Sequence, residues 1–251
     1  MGFCMANLIS GMSGMSMLAD NDVDFMVHYL VPVKVFGQQV WITTTHVTTL
    51  IVALTILIFA LAARRSILKG YEVPNGFQNF IEFLVETLDN VVHSSMGRHA
   101  KNFVNYIGTI MLFIFISNIS GLFGLRPPTA DYGTTLALAL LTFILIQYSA
   151  IKTSKFQVIT NLFKPIPLLF PINLIGEFAT PLSLSLRLFG NVMAGTIMLG
   201  LWYGLLPIFA KLGVPTFLHA YFDLFSGAIQ AYVFTMLTIS FIGKELPSQE
   251  N

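Results

Sequence analysis

Long apolar runs alternate with short polar breaks along this chain. A helix that crosses a bilayer needs roughly 20 mostly apolar residues. Five segments reach that length, at about residues 42–63, 105–125, 133–151, 171–206 and 215–242. The first ends at Arg64, Arg65 and Lys69, and the second at Arg126 with Pro127 and Pro128. The third ends at Lys152 and Lys155, and the fifth at Gly243 and Lys244. Residues 77–93 carry a different pattern, with Phe77, Phe80, Ile81, Leu84, Leu88 and Val91 at helical spacing among Glu82, Glu86, Asp89 and Asn90. That charged face is too polar to cross, and it predicts an amphipathic helix lying in the interface. The expected fold is an all-α integral membrane protein with five membrane-embedded helices, the last two long and tilted, plus one in-plane amphipathic helix. Residues 1–35 read as an outward-facing N-terminal segment, and residues 36–251 as a single transmembrane domain.

The fourth segment has a length problem. Its 36 residues form a helix of roughly 54 Å against a hydrocarbon core of about 30 Å. It must tilt strongly, kink, as Pro181 allows, or project from the bilayer, unless it breaks into a hairpin at 200–204. The fifth segment is also long for a vertical span, so the sequence predicts two adjacent oblique helices.

Composition agrees with the pattern. The chain is 55% apolar and 10% charged, against about 25% charged in soluble proteins, so it cannot cover a water-facing surface. A net charge of +1 gives no electrostatic case for nucleic-acid binding. The lone Cys4 excludes a disulfide framework. Residues 1–24 have no basic n-region and do not resemble a signal peptide.

The distribution of charge says more than its sum. If the first span exits into the cytoplasm, that side holds Arg64, Arg65, Lys69, Arg98, Lys101, Lys152, Lys155, Lys164 and Lys244. The other side holds Lys34, Arg126 and Lys211. Nine against three places the N-terminus outside and the C-terminus in the cytoplasm.

The thirteenth basic residue, Arg187, lies inside the fourth span, roughly 24 Å from its start. Arginine cannot shed its proton, and an intramembrane charge marks a pathway, a counter-ion or a bundle interior. Thr180, Ser183, Arg187 and Asn191 are spaced 3, 4 and 4, one stripe on one helix face, flanked by Leu184, Leu186, Leu188 and Phe189. The last helix carries a matching stripe of His219, Asp223, Ser226 and Gln230, spaced 4, 3 and 4. Beside water and His219, Asp223 can relay protons. Glu177 lies about 80° off the arginine stripe, nearer the cytoplasmic end, and suits a second aqueous route. For a metal ion, His219 and Asp223 lack a third ligand at fitting spacing, and no cofactor motif is present.

These residues resemble the a subunit of the membrane sector of bacterial rotary ATP synthases. The resemblance rests on PINLIGEFATPLSLSLRLFGNVMAG (171–195) and IQAYVFTMLTIS (229–240), with weaker matches in RPPTAD (126–131), TLALAL (135–140) and NISGL (118–122). It implies a non-catalytic stator subunit in the bacterial inner membrane, partnered by a c-subunit ring, peripheral stalk b subunits and the remaining synthase subunits, in contact with lipid and binding no nucleic acid. Arg187 then matches the family's essential arginine, Asn191 and Gln230 match polar residues beside the path, and Glu177 matches the preceding glutamate. The family's facing acid and histidine positions correspond to Thr196 and Asp223. Threonine at 196 departs from that pattern and leaves Asp223, with His219, as the titrating group of the outer half-channel. The resemblance further implies two offset half-channels that carry protons or sodium ions to and from ring carboxylates, coupling ion flow to ATP chemistry in other subunits. The rival reading, a secondary transporter with a buried Arg–acid pair, predicts internal repeats and a substrate pocket, and the sequence shows neither.

Overall fold

The computed structural model describes residues 29–35, 38–68, 76–154, 170–205 and 214–246. Cys4, most of the N-terminal segment, and the loop lysines Lys69, Lys155, Lys164 and Lys211 lie outside the described residues.

Two strands come first, β1 (Tyr29–Val35) and β2 (Gln38–Thr43). They pair antiparallel, with Val35 opposite Gln38, Val31 opposite Ile42, and a register shift before Tyr29 meets Thr43. The apolar pattern did not predict them. The rest is helical: α1 (Thr44–Leu68), α2 (Gly76–Met96), α3 (Val104–Ile119), α4 (Tyr132–Ser154) and α5 (Phe170–Leu205). The last helix runs through α6 (Val214–His219), a π-helical segment (Ala220–Ser226) and α7 (Gly227–Glu245). Five of these helical stretches are long and apolar enough to cross a membrane, at the places the sequence predicts. α5 is continuous, with Pro181 inside it, so the hairpin at 200–204 does not form.

The helix ends follow local chemistry. Asp131 precedes α4, and its Oδ1 accepts the Gly133 amide at 3.0 Å, a side-chain cap for an otherwise unpaired donor. α3 continues into a 3-10 turn (Ser120–Phe123) that stops at Gly124, φ +71°. There Gly124 N–H donates to Gly121 O and Leu125 N–H to Ser120 O, a paired closure that needs a left-handed residue. Threonines inside apolar helices send their hydroxyls to the preceding turn, as Thr48 does to Thr44 O and Thr55 to Ile51 O, which spares a bare polar group in lipid.

The core sits where α3, α4, α5 and the last helix meet. Ile110, Ile114, Ala139, Leu184, Leu188, Ala231 and Phe234 form one buried cluster. A second joins Ile107, Ile146, Ile239 and Ile242 to Val92 and Met96 of α2. α2 is therefore an amphipathic helix whose C-terminal half is built into the bundle, while Phe77, Phe80 and Phe83 remain exposed. Tyr106 and Thr142 hydroxyls hydrogen-bond at 2.8 Å across α3 and α4, a contact worth roughly 0.6 kcal/mol in a bilayer. α1 buries only Thr45, Thr48 and Val52 and presents Leu50, Leu54, Leu57, Ile58 and Leu61 outward. A water-soluble monomer rarely exposes so continuous an apolar face, and lipid is the solvent that suits it.

Candidate functional site

α5 separates its packing face from its polar stripe. Leu184 and Leu188, 2% and 0% exposed, point into the four-helix core. Arg187 lies roughly 60–100° around the helix from those leucines, Ser183 roughly 100–140° and Asn191 roughly 20–60°; all three are exposed, with Thr180 half-buried beside them. Of the three settings open to an intramembrane charge, pathway, counter-ion or bundle interior, the interior is not the one Arg187 takes. The leucines claim the interior because only apolar side chains interdigitate with Ile110, Ile114 and Phe234, and Arg187 is turned onto the outer face. Arg187 has no ion-pair partner among the described residues. Apolar side chains flank it on the same helix, with Leu182 and Leu186 both exposed.

The second stripe faces the other way, into the protein. His219 Nδ1 and Asp223 Oδ2 are 2.8 Å apart, and the two side chains are 32% and 16% exposed. Ser226 is half-buried and Gln230 fully buried. The π-helical geometry from Ala220 to Ser226 carries Asp223 near its middle. Such widened turns arise as single-turn insertions in α-helices, often at functional sites.

The stripes meet at one bond, where Asn191 Nδ2 donates to Gln230 Oε1. Asn191 stands one turn beyond Arg187, so this bond brings the inward stripe beside the arginine. A small cleft opens at the junction. Asn118, Asn191, Asp223, Ser226 and Gln230 supply its polar lining, with Pro127, Val192 and Phe222 as apolar walls. Its cavity volume of about 20 Å³ is room for about one water. Gln230 Nε2 is buried without a protein acceptor and borders this space. Polar lining, a carboxylate–imidazole pair and room for water are what stepwise proton or ion transfer requires.

Glu177 is not part of the cleft. It is exposed, and its Oε2 accepts from Gln147 Nε2 of α4 at 2.8 Å, which fits its position off the arginine stripe. Thr196 turns its hydroxyl to Val192 O at 3.0 Å, an ordinary helical bond. The sequence pattern does not mark Asn118, Gly121 and Gln147 as functional residues. Asn118 and Gly121 appear in the sequence only within NISGL, and nothing in the spacing links them to residues more than a hundred positions away.

Fold and site define a class: a multi-pass, all-α membrane subunit with an arginine on an outer face that has no ion-pair partner among the described residues, and an ionisable cleft behind it. Residues 46–243 match the family described as ATP synthase A chain. The chain is 41% identical over 226 residues to "ATP synthase subunit a, sodium ion specific" of Propionigenium modestum, a match covering 83% of this chain and 75% of that protein. It is 38% identical over 190 residues to "ATP synthase subunit a" of Priestia megaterium, covering 70% and 80% respectively. The chain belongs to the ATP synthase a subunit family. It is a non-catalytic, ion-translocating stator subunit that works with the other subunits of the synthase complex.

Proposed function

We propose that this subunit forms two offset aqueous half-channels that meet a rotating c-subunit ring on either side of Arg187. The observation that carries the reading is an exposed arginine with no acidic partner among the described residues. A charge that cannot be neutralised needs an anion inside the membrane, and a ring carboxylate supplies one from outside the chain. The 36-residue α5 and the last helix are long enough to lie obliquely along such a ring.

Ions enter from the outer side through the cleft at His219, Asp223, Ser226 and Gln230 and neutralise a ring carboxylate. After rotation through lipid, the site discharges beside Glu177 toward the cytoplasm. Arg187, flanked by Thr180, Ser183 and Asn191, stabilises the ionised carboxylate and bars direct passage between the half-channels. The driving force is about 2.3 kcal/mol per charge per 100 mV. The carried ion is a proton or sodium, and the sodium-specific name of one relative makes sodium a concrete candidate.

Nine basic residues against three support an external N-terminus and a cytoplasmic C-terminus in the bacterial inner membrane. Within that frame residues 1–35 form the outward segment and residues 36–251 the transmembrane domain. The exposed phenylalanines of α2 support an in-plane setting at the headgroup level, and peripheral stalk b subunits complete the stator. The test is Arg187→Ala in membranes where the complex still assembles. ATP synthesis and ATP-driven transport are expected to disappear, and full coupling in that variant sinks the assignment.

A further inference from the structure

The end of α3 with its 3-10 turn, and the π-helical segment with the first residue of α7, hold each other by a reciprocal pair of contacts, in which each side offers one glycine and one polar side chain. A Cβ on Gly227 would stand 2.7 Å from Asn118 Cβ. A Cβ on Gly121 would stand 3.0 Å from Asp223 Cγ and 3.1 Å from each carboxylate oxygen. The first contact is pinned by hydrogen bonds: Asn118 Nδ2 donates to Gly227 O at 3.2 Å, and Thr129 Oγ1 donates to Asn118 Oδ1 at 2.7 Å. Asn118 and Thr129 are buried, so this side of the lock has no room to slide. In the second contact the Asp223 carboxylate stands between His219 Nδ1 at 2.8 Å and the bare backbone of Gly121. Among the described residues, His219 is the one ionisable group within hydrogen-bonding distance of it.

We propose that Gly121 is a positioning residue for ion uptake, its missing side chain keeping open the place in the outer cleft that the Asp223 carboxylate occupies. This rests on the reading of Asp223 as an uptake group. A methyl at 121 forces the carboxylate to give by a few tenths of an ångström, and a branched side chain must evict it. The Asn118–Gly227 contact prevents the π segment from retreating to make room, so the displacement falls on the carboxylate.

The experiment is a series of Gly121→Ala and Gly121→Val in the complete complex in membrane vesicles, with ATP synthesis followed against outer ion concentration. A misplacement of about 1 Å costs up to about 100-fold, so the shift expected in half-saturating concentration is roughly 3-fold for Ala and more than about 10-fold for Val. The rate at saturation falls less, a split that a loss of folded protein does not produce. Gly76→Ala, where a Cβ meets nothing within 4 Å, leaves both quantities unchanged. If Gly121→Val fails to accumulate, Gly121→Val with Asp223→Ala accumulates, because the clash is with the carboxylate. An unchanged half-saturating concentration across the series overturns the proposal, as does a loss of accumulation that Asp223→Ala does not relieve. Asp223→Asn run in parallel separates the two levels. If it is silent, the reading of Asp223 as an uptake group fails. If it slows uptake while the Gly121 series is silent, only the present proposal fails.

Discussion

Two charges with opposite settings define the residue scale. Arg187 keeps its charge and is turned outward among leucines, whereas Asp223 is 16% exposed and tied to His219. A carboxylate beside an imidazole and a water-sized cleft is suited to taking up and passing on a proton, and to accepting a sodium ion. Asp223→Asn keeps the shape and the hydrogen-bonding capacity toward His219 but replaces the carboxylate with a neutral amide. Transport driven by ATP is therefore expected to slow by about 100-fold or more, on the scale of a lost acid–base group, while immunoblots show unchanged subunit in the membrane. Unchanged flux removes Asp223 from the path. Both charges were legible from the sequence, because an arginine or an aspartate within an apolar run stands out against its neighbours. Asn118 and Gly121 were not, since their meaning lies in contacts with Gly227 and Asp223 across the bundle. The direction in which Arg187 points was also hidden: a helical stripe names a face without saying what covers it.

Among the elements, the π-helical segment has the sharpest consequence. It adds a residue's worth of backbone to the turn, so α6 and α7 are out of phase with one continuous α-helix. Deleting Leu224, exposed at 45% and central to the segment, removes the extra residue and restores α-helical hydrogen bonding; the flanking helices keep their faces, and the change falls on the residues inside the turn, Asp223 among them. Asp223 then leaves Gly121 and the cleft. The buried anchors of α7, Ala231, Phe234, Ile239 and Ile242, lie after the deletion and hold the helix in place. The expected outcome is a subunit that still accumulates and assembles but loses ion uptake; retained uptake shows that the widened turn has no bearing on the site. Hydropathy located the five spans to within a few residues, because lipid imposes a minimum apolar length on every crossing. The π turn was illegible because the sequence from Ala220 to Ser226 is as apolar on one phase as on the other. The β1–β2 pair escaped for a related reason, since a run of seven residues containing Pro32 carries no length signal of its own.

At the scale of the whole molecule, the isolated chain is unfinished in two ways. Its periphery is apolar, which a bilayer satisfies, and on the face of its longest helix it carries Arg187, without an ion-pair partner among the described residues, which lipid does not satisfy. α1 shows what a purely lipid-facing helix looks like here, with Ile58 67% exposed and no charge until Arg64. α5 differs by placing Ser183, Arg187 and Asn191 on its exposed side. The central claim is that this face meets a ring of c subunits, and cross-linking tests it most directly. In a chain with Cys4 replaced by Ser, a single cysteine introduced at Ser183 is oxidised against cysteines placed beside the carboxylate of the ring subunit, and Ile58→Cys serves as the lipid-facing control. Cross-linked product is expected from position 183 and none from position 58. Equal cross-linking from both, or product from position 58 alone, contradicts the assignment of the Arg187 face to the rotor.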